Sequence, residues 1–204
     1  RQRQMCIRDR KLLKSSLIIF LAIVAATLVR TFLIQIYFIP SSSMEPTLQV
    51  NDRVLVVKNT FIDTDITTGD IVVFYGPQTQ FDENYYDQFI ESLQIWKLTN
   101  DQTYLNTALI KRVVGTGGDE VVINQSGEVF VNNNRFVVLN IEEGRYFKDQ
   151  TYIVPDGEIF VLGDNRINSQ DSRYIGTIPY NNIVGKAYYV IFPFENFTNI
   201  NDWR

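Results

Sequence analysis

Histidine is absent from the 204-residue chain, and that absence removes more chemistry than any other feature of the composition. No Ser-His-Asp or Cys-His arrangement is available, so any serine nucleophile must find another base. The only cysteine, Cys6, excludes an internal disulfide and every CxxC or Cys/His zinc site. The formal net charge is −4 and no Lys/Arg-rich stripe crosses the body of the chain. It therefore lacks the clustered cations that nucleic-acid phosphates require, and no nucleic-acid partner is expected. Internal repeats and low-complexity tracts are also missing. The length suits a membrane anchor plus one soluble domain with a sizeable core.

The charge that is present divides unevenly. Residues 1–35 hold seven Lys/Arg against Asp9 alone, and the remainder holds twelve against twenty-two Asp/Glu. From Leu12 to about Ile39 the chain is overwhelmingly apolar: Ser15 to Val29 is uncharged, and Thr31-Phe32-Leu33-Ile34 continues past Arg30. About 20 residues at 1.5 Å rise cross a ~30 Å hydrocarbon core, so residues 12–35 are expected to form a transmembrane anchor, with Arg30 snorkelling at the far interface. A cleavable signal peptide would have a shorter apolar region ending at small residues. Here Ala22, Ala25 and Ala26 lie inside the run, which favours an uncleaved anchor. The basic flank of Arg1, Arg3, Arg8, Arg10, Lys11 and Lys14 keeps residues 1–11 in the cytoplasm by the positive-inside rule and places 36–204 outside the cell (inner) membrane, in single-pass topology. Residues 1–10 open on arginine and read as a truncated or appended, non-native end; Lys11 and Lys14 still set the orientation.

Beyond the anchor, short β-branched and aromatic runs alternate with turn residues. Arg53–Val57, Ile71–Phe74, Glu120–Ile123, Glu128–Val131, Ile159–Leu162 and Ile183–Phe192 read as strands, with hairpin connections at Asn124-Gln125-Ser126-Gly127 and Asn132-Asn133-Asn134. The predicted fold class is mainly β: an antiparallel, barrel-like catalytic sheet domain over 36–204, with one N-terminal transmembrane helix and a small inserted helical segment. That insertion covers about residues 78–106. Within it, Phe89, Leu93 and Trp96 follow a helical period from Tyr85 to about Leu98.

Three segments carry groups able to do chemistry. Pro40-Ser41-Ser42-Ser43-Met44-Glu45-Pro46-Thr47-Leu48 follows the anchor directly. Serines beside proline commonly form a polar linker, but the apolar Ile39, Met44 and Leu48 suit an ordered segment better. Leu109-Ile110-Lys111-Arg112-Val113-Val114-Gly115 is a strand-like run with a lysine inside it. A strand lysine is most often a solvated or edge charge. In an apolar setting, however, desolvation disfavours the ammonium, and a neutral amine takes a serine proton; in a chain without histidine this makes Lys111 the plausible base. Gly163 to Gly176 is densely polar after an apolar strand. It reads either as a surface loop or as a satisfied polar network beside a buried site.

In their order and number these blocks make the chain resemble the type I signal peptidases, from the anchor to about Gly185. The resemblance is carried by Ser41-x-Ser43-Met44-x-Pro46-Thr47-Leu48, by Gly69-Asp70-Ile71-Val72-Val73-Phe74, and by Ile110-Lys111-Arg112-Val113 with Gly118-Asp119. It is completed by Gly163-Asp164-Asn165-Arg166-x-x-Ser169-x-Asp171-Ser172-Arg173. It implies a membrane-bound serine endopeptidase that cleaves signal peptides from exported preproteins by a Ser-Lys dyad, with no cofactor or metal, at the lipid bilayer; it implies nothing about oligomeric state. Ser43 would be the nucleophile and Lys111 its general base. Ser41 would help bind the oxyanion, and Ser169 would hold the lysine amine. Arg112, Asp164, Asp171 and Arg173 would form a salt-bridged support, and Ile39, Met44, Leu48, Leu109 and Ile110 would line pockets for small side chains at substrate positions −1 and −3. Two residues depart from the family: Ser42 stands where glycine is usual and Gly117 where proline is frequent. Soluble self-cleaving repressor proteases use a similar Ser-Lys core but carry a DNA-binding segment where this chain has its apolar run. An inactive membrane-anchored binding or scaffold domain is the other alternative, and the presence of Ser43, Lys111 and Ser169 argues against it.

Overall fold

A computed structural model describes residues 15–29, 33–58, 65–77, 108–138, 141, 144 and 148–200. In chain order its strands are β1 (Ile34–Phe38), β2 (Arg53–Lys58), β3 (Ile71–Phe74), β4 (Leu109–Thr116), β5 (Glu120–Ile123), β6 (Val129–Val131), β7 (Asn134–Phe136), β8 (Gln150–Ile153), β9 (Glu158–Leu162), β10 (Ile178–Pro179), β11 (Ile183–Phe192) and β12 (Thr198–Asn199). They form an eight-stranded sheet in the order β1-β2-β11-β3-β4-β9-β10, with β12 added to β11, and a four-stranded sheet in the order β7-β6-β5-β8. All pairings are antiparallel. The fold is mainly β, as the alternating runs predict. Among the described residues, however, no pairing joins β1 to β10 at the two ends of the larger sheet, so that sheet is open rather than a closed barrel.

Burial explains the strand patterns. β2 alternates, with Val54 and Val56 buried and Arg53 exposed, because one face meets the core. β3 is buried at every position because both of its faces are covered. Ile71 and Val73 pack with Ile39, Met44, Leu48, Val54 and Val56 on one side. Val72 and Phe74 pack with Val113, Ile159, Val161 and Ile178 on the other. A third cluster of Val114, Val121, Ile123, Val129, Phe160 and Leu162 attaches the smaller sheet to β4 and β9. Val113 and Val114, consecutive in β4, point to opposite faces and join different clusters, and the β4–β9 register shifts between Val113 and Gly115.

Residues 15–29 are helical, and their large apolar side chains, from Leu17 through Phe20 to Ile23, are exposed. At 1.5 Å per residue this segment is roughly 22 Å long. No helix among the described residues is long and apolar enough to cross a membrane. The expected anchor boundary at residue 35 is corrected, because Ile34 and Gln35 belong to β1 and pair with Val57 and Val56. Apolarity alone does not separate the end of a lipid-facing helix from an apolar strand, and the ladder to β2 decides the conformation. The expected inserted helix, like the 78–106 insertion as a whole and residues 1–14, lies outside the described residues.

The outward face of β1, β2 and β11 is also apolar. The registers Phe38↔Arg53↔Phe192 and Ile36↔Leu55↔Tyr189 bring these side chains to one surface. Tyr189 stacks on Phe197 at 6.1 Å, Phe192 meets Phe194 edge-on at 5.8 Å, and the Arg53 guanidinium lies 5.0 Å from the Phe192 ring.

Candidate active site

Between β1 and β2 the chain makes a closed loop, fastened where Ile39 N–H donates to Asp52 O and Asn51 N–H to Ile39 O. Ile39, Met44 and Leu48 are buried beneath it. Ser42–Met44 form a 3-10 turn, and Ser42 and Ser43 stay partly exposed. The opposite wall is built from β4 and β9. Their ladder ends at the Arg112–Leu162 pair, after which the chain turns away at Gly163, while Leu109 to Lys111 keep only β3 as a neighbour. The serine turn sits at this divergence. Asn165 N–H donates to Ser43 O at 3.1 Å, and Asn165 Nδ2 donates to Ser42 O at 3.1 Å. Gly163 is required by close approach, since a Cβ there would overlap Ser169 Oγ and lie 2.6 Å from Ser43 O.

Lys111 Nζ lies 2.7 Å from Ser43 Oγ and 2.8 Å from Ile110 O. Its side chain is buried, with Val72 directly across the ladder and Leu109 and Val113 two residues away along its own strand, so its stem runs over apolar neighbours. Burial lowers the pKa of Lys111 from 10.5 to about 8, against the opposing pull of the Asp171 and Asp164 carboxylates. As an ammonium, Lys111 donates to Ser43 Oγ. Once neutral, it offers a lone pair over the same distance, and the Ser43 hydroxyl becomes the donor. Ser41 Oγ–H donates to Ser43 Oγ at 3.4 Å, a long contact that keeps the two hydroxyls side by side.

Two buried ion pairs hold the walls. Arg112, 1% exposed, donates Nε to Asp164 Oδ1 at 2.9 Å and Nη2 to Asp164 Oδ2 at 2.7 Å, in bidentate geometry. Its Nη1 donates to Gly69 O, and Thr47 Oγ1 donates to Asp164 Oδ2, so one cluster joins the serine loop, the turn before β3, β4 and the end of β9. Asp171 accepts from Arg173 Nε and Nη2, both at 2.7 Å, and from Gly163 N–H at 2.9 Å, which fixes the polar turn to the end of β9.

The structure therefore brings Ser43, Lys111 and Ser41 together and surrounds them with the Arg112–Asp164 and Asp171–Arg173 pairs. Two expectations are corrected. Ser169 is buried, but its Oγ has no hydrogen-bond partner among the described residues and does not hold Lys111, whose Nζ is engaged by Ser43 and Ile110. Ile39, Met44 and Leu48, read from sequence as pocket lining, are at most 2% exposed; they are core beneath the serine loop, and a side chain sealed on every side has no surface for a substrate. Leu109 and Ile110 remain partly exposed. Sequence reasoning also gave no role to Asn165 and Asn168. Their one signal is the concentration of turn-forming amides directly after β9, where such side chains commonly bond to neighbouring backbone.

Comparison with known proteins adds an independent line. A family model described as "Signal peptidase, peptidase S26" matches residues 12–192. The probable signal peptidase I-2 of Synechocystis sp. is 36% identical over 172 residues, covering 84% of this chain and 69% of that protein. The signal peptidase I of Leptolyngbya laminosa is 34% identical over 185 residues, covering 91% of this chain and 82% of that one. The crystal structure of a signal peptidase I from Enterococcus faecalis V583 aligns with a TM-score of 0.42 at 22% identity, covering 60% of this chain and 97% of that chain.

Proposed function

The chain belongs to the signal peptidase S26 family, and on that premise we propose that it is a serine endopeptidase removing signal peptides from exported preproteins, with Ser43 as nucleophile and Lys111 as general base. The observation that carries this reading is the 2.7 Å contact between Ser43 Oγ and a buried lysine whose pKa burial lowers to about 8. Neutral Lys111 takes the Ser43 proton as Oγ attacks the scissile carbonyl. The ammonium then protonates the leaving amine as the C–N bond breaks, leaving an ester on Ser43. Water, deprotonated by the same amine, attacks that ester, and the proton returns to Ser43 Oγ as the acid product leaves. The Ser43 backbone N–H and the Ser41 hydroxyl serve as oxyanion donors, each typically worth about 2.7–4 kcal/mol in the transition state. An inactive scaffold would have no use for a buried lysine held against a serine hydroxyl.

An extended substrate would lie along the stretch of β4 that β9 has left, using backbone hydrogen bonds for much of its affinity, with Leu109 and Ile110 as apolar contacts. Apolar contacts discriminate by only about 1–3 kcal/mol per methylene, so selectivity for small side chains should be modest. The helix at 15–29 would be the described part of a single-pass anchor with its basic N-terminal flank in the cytoplasm. Leu33 N–H donates to Val29 O and the chain enters β1 one residue later. Lipid would cover both that helix and the apolar outer face bearing Phe38, Tyr189 and Phe192.

The test is cleavage of a peptide carrying an Ala-x-Ala site by the detergent-solubilised full chain, with products identified by mass. Ser43→Ala and Lys111→Ala should each abolish cutting while the fold persists. Full activity in either variant would refute the dyad.

A further inference from the structure

Ser42 is not among the described residues with positive φ, so this turn does not need glycine's conformational freedom. The serine adds something a glycine lacks. Asn168 Nδ2 donates to Ser42 Oγ at 3.0 Å, across a separation of 126 residues. Asn168 is itself braced, because its N–H donates to Asn165 O at 3.1 Å and Asn165 Oδ1 at 3.2 Å. Asn165 in turn donates to the carbonyls of Ser42 and Ser43. The two asparagines therefore grip the nucleophile turn on both sides of the Ser42–Ser43 peptide, and the Ser42 hydroxyl is the only side-chain handle in that grip.

We propose that Asn168 is a positioning residue that acts on Ser43 through the Ser42 hydroxyl, fixing the turn so that Ser43 Oγ faces Lys111 and Ser41 Oγ faces the developing oxyanion. The inference rests on the Ser43–Lys111 reading. Ser42 lies directly between the two hydroxyls whose placement matters, and small displacements of a reacting group are costly in rate. Loss of the clasp leaves Asn165's bonds in place, so the turn persists but loosens. Because Asn168 is exposed, the contact is partly solvated, and the expected loss is about two- to tenfold in kcat. A more mobile serine loop still docks the substrate against β4, so KM should move little.

The experiment measures kcat and KM of the full chain on the same Ala-x-Ala peptide for Ser42→Ala, Asn168→Ala, their double variant and Ser42→Thr. Each alanine variant should lower kcat by about two- to tenfold with KM nearly constant. The double variant should be no slower than the slower single, because both remove one bond. Ser42→Thr keeps the hydroxyl and should recover rate relative to Ser42→Ala, whereas a purely steric role would make the bulkier threonine worse. Unchanged kcat in both alanine variants, losses that multiply in the double, or threonine slower than alanine would each overturn the proposal. Should Asn168→Ala melt early, the ratio of Ser42→Thr to Ser42→Ala decides alone, since it leaves the 163–173 turn intact. An active Ser43→Ala would refute the dyad itself; an inactive Ser43→Ala beside unaffected Ser42 and Asn168 variants would refute only the clasp.

Discussion

Cleavage by this enzyme should climb through neutral pH, because only the neutral amine of Lys111 can accept the Ser43 proton. Burial is the main cause of its low pKa, with Asp171 and Asp164 pulling the other way, and the net result is a pKa of about 8 against an ordinary 10.5. The neutral fraction is then roughly 1% at pH 6, 10% at pH 7, half at pH 8 and 90% at pH 9. Accordingly kcat/KM should rise about tenfold from pH 6 to 7, reach half its plateau near pH 8 and level off above pH 9. A solvated lysine would still be gaining about tenfold per unit at pH 9. The assay is single-turnover cleavage in detergent with enzyme in excess, using a peptide without groups that titrate between pH 6 and 10, so that chemistry limits the rate. A flat profile from pH 6 to 9, or a midpoint near 10.5, would refute the account of Lys111 as a buried base.

The same shift has a consequence for stability. Between about pH 8 and 10.5 the unfolded chain binds more protons at this lysine than the folded one, so its contribution improves as pH rises and is most unfavourable below 8, by about 3 kcal/mol. Lys111→Met should therefore be inactive yet more stable at pH 7, by up to about 3 kcal/mol in urea melts, with the difference shrinking toward pH 10. Asp164→Asn leaves Arg112 buried without its counter-charge and should cost about 3–5 kcal/mol, read as a fall in urea midpoint. Gly163→Ala forces a Cβ against Ser169 Oγ and the Ser43 carbonyl, so it should lower kcat by more than about tenfold even in folded protein.

Local pattern made much of this protein legible. β-branched runs cut by turn residues marked Arg53–Val57 and Ile71–Phe74 as strands, and the lack of histidine made Lys111 the plausible base. Such features are readable because strand period and side-chain chemistry are properties of neighbouring residues. What tertiary structure alone decided is which groups meet. Ser43 and Lys111 are 68 residues apart, and they touch because β9 parts from β4 after Leu162 and leaves room for the serine turn. Ile39, Met44 and Leu48 have the composition of a pocket wall or a core; only the closed loop above them shows that they are core. Ser169 fits the motif but finds no partner, while Asn168 reaches Ser42. The lowered pKa of Lys111 belongs to the same class, since desolvation is supplied by strands distant in sequence that close around the side chain. The residue types were written in the chain, but their distances and burial arise only when separate segments pack.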